Sequence, residues 1–124
     1  MGTTIAPEAM ARYRRSAAAR EMALQEETER RRQAAWSAAH RAAHLLREEF
    51  GATRVIAFGS LAHDAWFGSH SDIDLAAEGI PAEAFWRAWC ALDRLDPAMD
   101  FDLIAVESAS DSLRDEILHQ GVAL

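Results

Sequence analysis

The chain is poor in the residues that cross-link, anchor or export a protein. Its single cysteine, Cys90, excludes an internal disulfide and any multi-cysteine zinc site, and suits a reducing compartment. Nothing approaches the run of ~20 apolar residues that a membrane span needs. The N-terminus, MGTTIAPEAM, lacks a basic segment followed by an apolar one, so no secretion signal is read. These absences predict a soluble, cytoplasmic protein. Lysine is missing: all 13 basic residues are arginine, set against 20 acidic ones for a net charge of −7. Only three prolines and six glycines punctuate the 124 residues. That length supports one small domain with a modest core.

What is present is unevenly spread. Residues 8–32 hold seven Arg against five Glu, or +2, and residues 33–124 hold six Arg against fifteen acids, or −9. An acidic body argues against non-specific contact with a nucleic-acid backbone, so no direct nucleic-acid partner is expected. It permits carboxylates that hold divalent cations. From Pro7 to Phe50 no Gly or Pro interrupts a stretch rich in Ala, Arg, Glu and Gln, which predicts one long helix capped by Gly51. Only its second half carries an apolar stripe, Trp36, Ala39, Ala43, Leu46 and Phe50. Residues 1–35 are therefore read as a helical extension expected to project, fray or find a partner, and residues 36–124 as the domain.

The remainder alternates strand and helix signals, which predicts an α/β fold with a small mixed sheet packed by helices. Arg54–Phe58 reads as a buried strand ended by Gly59-Ser60, and Leu61–Trp66 as a short helix. Asp72–Ala76 alternates with period two, Ala82–Leu95 is amphipathic, Met99–Val106 is a third strand, and Ser110–Gln120 is a last helix burying Leu113, Ile117 and Leu118.

Asp72 and Asp74 stand two apart on a strand, so both carboxylates point to one face about 7 Å apart. Such a pair is costly unless a cation sits between, and hard oxygen ligands suit Mg²⁺. Asp100 and Asp102 share a face of the third strand in the same way; either would complete a three-carboxylate site if the strands are neighbours. Gly59 lets the backbone approach a phosphate closely, and a helix starting at Ser60 would offer free N–H groups to an anion. The chemistry to expect is metal-assisted transfer of a phosphoryl or nucleotidyl group.

The segment FGSLAHDAWFGSHSDIDL resembles the nucleotidyltransferase signature of the DNA polymerase β-like superfamily, in the form carried by minimal nucleotidyltransferase (MNT) domains. Gly59, Ser60, Asp72 and Asp74 match that pattern residue by residue, with Ser71 opening the Ser-Asp-Ile-Asp-Leu motif. The ending DLIAVESASDSLRDEILHQGVAL is similar to the family's own and selects Asp102 over Asp100. The resemblance spans roughly residues 36–124. It implies that Asp72, Asp74 and Asp102 are metal ligands and catalytic acids for two Mg²⁺ ions, with Asp102 near the nucleophile. Gly59, Ser60 and Ser71 would bind the nucleotide. Many such domains are antitoxins beside a HEPN-domain ribonuclease toxin, and several move AMP from ATP to a toxin tyrosine. The implied function is that transfer, within a hetero-oligomer. The alternatives are an antitoxin acting by binding alone, and an enzyme acting on a small molecule or RNA end. The turn departs from the family, with Leu61 and Asp64 where many relatives have Arg and Gly, which would weaken phosphate binding.

Other residues read more plainly. His40 and His44 are an i, i+4 pair with no third ligand in view, and are expected on a polar helix face. His63 and His70 flank the candidate site. Trp66 and Phe67 are expected to anchor in the core, Trp86 and Trp89 to pack their helix, and Cys90 to fill a small core position. Arg114 and His119 match an Arg-x₄-His spacing that the α/β pattern around them does not support as a ribonuclease motif.

Overall fold

A computed structural model describes residues 6–63 and 72–124. The first element is the expected helix α1, Pro7–Phe50. The chain divides into two compact units, Met1–Arg30 and Arg31–Leu124. In the first, the residues from Pro7 on are helical, and Tyr13, Met22 and Leu24 are exposed. Two of its side-chain bonds are local: Thr28 Oγ1 donates to the Leu24 carbonyl, and Glu27 pairs with Arg30 one turn on. An apolar content this sparse leaves the helix to be held by propensity and such local pairs.

The second unit begins on the same helix. Ala35, Ala38, Ala39, Ala42, Ala43 and Leu46 are buried there, with Trp36 and Phe50 packed at the margin. Alanines on the buried face let the helix approach its neighbours closely. Gly51, at φ +74°, ends it: Gly51 N donates to Arg47 O, and Ala52 N to Leu46 O. Strand β1 is Arg54–Phe58, β2 is Ile73–Glu78, α2 is Ala82–Leu95, β3 is Phe101–Ala105, α3 is Asp111–Gln120 and β4 is Val122–Ala123; one 3-10 turn, Val106–Ser108, links β3 to α3.

The sheet order is β3-β2-β1-β4. β1 is antiparallel to β2 and β4, and β2 is parallel to β3 across the α2 crossover. Strand alternation splits the side chains between two faces. Val55, Ala57, Ile73, Leu75, Ala77, Phe101 and Leu103 join the core made with α1 from Ala35 onward and with α2 through Ala84, Ala88 and Leu92. Ile56, Phe58, Ala76 and Val106 form a smaller core with Ile117 of α3, and Ile104 and Leu113 pack against it. Trp89 Nε1 donates to Phe101 O at 3.2 Å, and Arg41 pairs with Asp96 at 2.9 Å, so the middle and the C-terminal end of α2 are tied down.

β1 and α2 have the expected bounds. β2 starts one residue later than expected, leaving Asp72 just outside it, and runs two residues further, to Glu78, because Ala76 and Ala77 pair with β1 as far as the Arg54–Glu78 partners. β3 is shorter than expected, since Val106 turns away into the 3-10 segment. Ser110 stands outside α3 as its N-cap, its Oγ accepting from Leu113 N at 3.2 Å. Three expectations of burial fail. Leu118 is 42% exposed and Trp86 is 71% exposed, because α3 and α2 bury narrower faces, centred on Ile117 and on Ala84-Ala88-Leu92. Cys90 is only half-buried, beside that α2 face. From Gly59 to His63 there is one hydrogen-bonded turn, His63 N to Gly59 O; the rest of the expected Leu61–Trp66 helix lies outside the described residues.

Candidate active site

The two-residue periods of β2 and β3 put Asp74 and Asp102 on the sheet face that carries Ala76 and Ile104, the face covered by α3. The parallel register makes Asp74 and Asp102 direct partners, and the antiparallel register sets Asp74 opposite Phe58. Gly59 follows Phe58, and there the chain turns with φ +74°. A Cβ at this position would overlap the Asp74 carboxylate, so Gly59 is required both by its backbone angle and by this approach. Ser60 is half-buried on the same turn. Asp72 is exposed immediately before β2. Ser71, a nucleotide-binding candidate in the sequence, lies outside the described residues, as do Asp64, Trp66, Phe67 and His70.

The carboxylates make this corner electrostatically costly. Burial first, then the charges of Asp102, Asp72 and Glu116, push the Asp74 carboxyl up to about 6 from 3.8. The sequence pattern does not single out Glu116. It sits on α3 next to the buried Ile117, and α3 lies on the face to which Asp74 points. The only signal for it is that the last helix must cover whichever face the acids use. Asp100 is exposed, and its carbonyl accepts the β2 amide of Ile73 at 2.8 Å, a sheet contact.

An all-oxygen donor set with uncompensated negative charge suits a hard divalent cation. The residues thus fit Mg²⁺ in kind, although among the described residues no three acid, His or Cys side chains are gathered tightly enough to hold an ion. His40 and His44 are exposed on α1, and His63 is exposed on the turn. Arg114 is occupied structurally, donating to the carbonyls of Val106 and Glu107, and His119 Nδ1 lies 2.8 Å from Asp115 O. Neither is arranged as part of a second site.

A glycine turn packed on a strand acid, with a second acid opposite on a parallel neighbour, on a four-stranded mixed sheet, is the arrangement of the nucleotidyltransferase fold, in its minimal form. Similar solved structures bear this out. The chain is similar to a toxin–antitoxin structure with AMP-PNP (26% identity, TM-score 0.58, covering 68% of this chain and 70% of that one). It is similar to a structure of tri-AMPylated Shewanella oneidensis HEPN toxin in complex with MNT antitoxin (25% identity, TM-score 0.53, 72% and 70% covered). It is similar as well to a minimal nucleotidyltransferase (27% identity, TM-score 0.51, 80% and 94% covered). No protein-family model and no curated protein matches the sequence. Among the described residues no helix is long and apolar enough to cross a membrane.

Proposed function

We propose that this chain is a nucleotidyltransferase-type antitoxin that transfers AMP from ATP to a tyrosine hydroxyl of a HEPN ribonuclease toxin, silencing it. The observation that carries the reading is Asp74, held opposite Asp102 and pressed against the backbone of Gly59. Two likenesses support the acceptor and the donor: one similar structure holds a tri-AMPylated HEPN toxin, and another holds AMP-PNP. Residues 36–124 are the catalytic domain and residues 1–35 the extension available to a partner.

Asp72, Asp74 and Asp102 are the residues that would hold two Mg²⁺ ions. Bound there, the ions would supply positive charge to the triphosphate and lower the barrier to displacement at the α-phosphorus. Gly59 and Ser60 hold the triphosphate at the turn through their backbone N–H groups, beside the Asp74 carboxylate that a side chain at position 59 would overlap. Asp102 takes the proton of the attacking hydroxyl. β2 and β3 fix Asp74 and Asp102 in place, so little reorganisation of these two groups is needed during the reaction.

The test is incubation with ATP radiolabelled at the α-phosphate, Mg²⁺ and the toxin encoded alongside. Label on the toxin is expected; a toxin that is bound but stays unlabelled overturns the catalytic reading. Neutralisation by binding alone is the second reading, favoured by the absence of a gathered cation cluster among the described residues. An Asp72→Ala/Asp74→Ala double variant that still neutralises fully would select it.

A further inference from the structure

Tyr13 is the chain's sole tyrosine. It is 65% exposed in the second turn of α1, within the Met1–Arg30 unit. Arg12, Arg14 and Arg15 flank it, all exposed, and none of the three enters an ion pair among the described residues. The Arg31–Leu124 unit carries the opposite character, with Asp72, Asp74, Asp102 and Glu116 collected around one corner. A phenol flanked by free arginines is thus offered on a segment outside the compact unit that holds the acids. Its charge complements both that corner and a bound triphosphate. Of the side-chain hydroxyls the phenol is the most acidic, so it gives up a proton to a carboxylate most readily.

We infer that Tyr13 is itself an acceptor: the acidic site of a second copy transfers AMP from ATP to Tyr13 Oη. The inference rests on the nucleotidyl-transfer reading above. Tyr13 Oη forms a bond to the α-phosphorus of ATP, and the bond from that phosphorus to the bridging oxygen breaks. Pyrophosphate leaves with the electron pair, and the phenolic proton passes to a carboxylate of the acid corner and on to water. The product is a phosphodiester with one negative charge among three arginines. A second copy is assigned on charge: the arginines beside Tyr13 complement the acids around Asp74.

The test uses the full chain with α-labelled ATP and Mg²⁺, with and without the toxin. Label on the chain itself is expected, placed on Tyr13 by peptide mass spectrometry. Tyr13→Phe is expected to lose that label and still modify the toxin. In a mixture, the active Tyr13→Phe chain is expected to label an inactive Asp74→Asn chain at Tyr13. Label on the toxin with none on the chain overturns self-modification and leaves the antitoxin reading standing. Label that persists in Tyr13→Phe overturns it too, as does a mixture that transfers nothing. Absence of label on both proteins overturns both readings together.

Discussion

Asp74 and Asp102 are partners in the parallel pairing of β2 and β3, and both occupy the face that α3 covers. Two carboxylates held side by side by a rigid sheet repel each other, and partial burial of Asp74 removes the water that would screen them. The fold therefore holds an unfavourable arrangement that a cation or a proton relieves. Such local cost has measurable consequences for stability.

The pH dependence has a definite sign. The Asp74 carboxyl stands at about 6 in the folded chain against 3.8 for a free one, so between these values the folded state binds more protons than the unfolded. Stability from this group is present below about 4 and is lost as pH rises through about 6. Solvent reaches the half-buried carboxylate, so the loss is on the order of 1 kcal/mol. Asp74→Asn should abolish this component and be more stable than the parent at pH 7. Urea midpoints of both proteins at pH 4.5 and pH 7 check it; equal pH dependence in the two would refute the assignment.

Magnesium should reverse the same penalty. At pH 7 it is expected to raise the melting temperature of the parent chain and leave Asp74→Asn unmoved. At ten times its dissociation constant, a ligand specific for the folded state contributes about 1.4 kcal/mol. Thermal unfolding with increasing Mg²⁺, against a potassium chloride control of equal ionic strength, separates ion binding from screening.

Gly59→Ala should damage the site from the backbone side. Alanine at φ +74° is strained, and its Cβ would overlap the Asp74 carboxylate. The expected cost is about 1–3 kcal/mol of stability. Nucleotide affinity should fall as well, because the turn must open to make room. Calorimetric titration with a non-hydrolysable ATP analogue measures it. Unchanged affinity would show that the turn does not hold the triphosphate.

These residues also mark where the sequence was legible. β1 could be bounded because Val55, Ile56 and Phe58 form a compact apolar run cut off by Gly59, and α2 because Pro81 precedes it and Pro97 follows it. The Asp-x-Asp spacing placed Asp74 on a strand and, with Gly59, at one corner by pattern alone. β4 was illegible: Val122–Ala123 is too short for periodicity, and its partners Ile56 and Ala57 lie far back in the chain. Glu116 was illegible for a related reason. It is one charged residue on a mostly exposed helix, and only the docking of Ile117 against Ile56, Phe58 and Ala76 brings it toward Asp74. Neither Leu118 nor Trp86 could be placed by apolar character, since how wide a face each helix buries depends on neighbours that the local pattern does not specify.

The acids around Asp74 can be ranked. After burial, Asp102 acts on it most strongly, then Asp72, then Glu116. The ordering follows the fold: Asp102 is the register partner, Asp72 is exposed ahead of the strand, and Glu116 is an exposed residue of α3. Removing each charge should therefore return the Asp74 carboxyl toward its ordinary range by unequal steps, largest for Asp102→Asn and smallest for Glu116→Gln. Asp100→Asn is the control. Asp100 is exposed and serves the sheet through its carbonyl, which the substitution keeps, so it should not move the Asp74 carboxyl comparably. Carbon-detected NMR titration of the Asp74 carboxyl reads each step directly. The transfer assay adds a second axis: Asp102→Asn should lower AMP transfer by roughly a hundredfold or more, as loss of a metal ligand and proton acceptor does, and Asp100→Asn should leave it intact. If Asp100→Asn shifted the Asp74 carboxyl more than Asp102→Asn did, the third acid would be Asp100 and the pairing of Asp74 with Asp102 across β2 and β3 would be wrong by two residues of register.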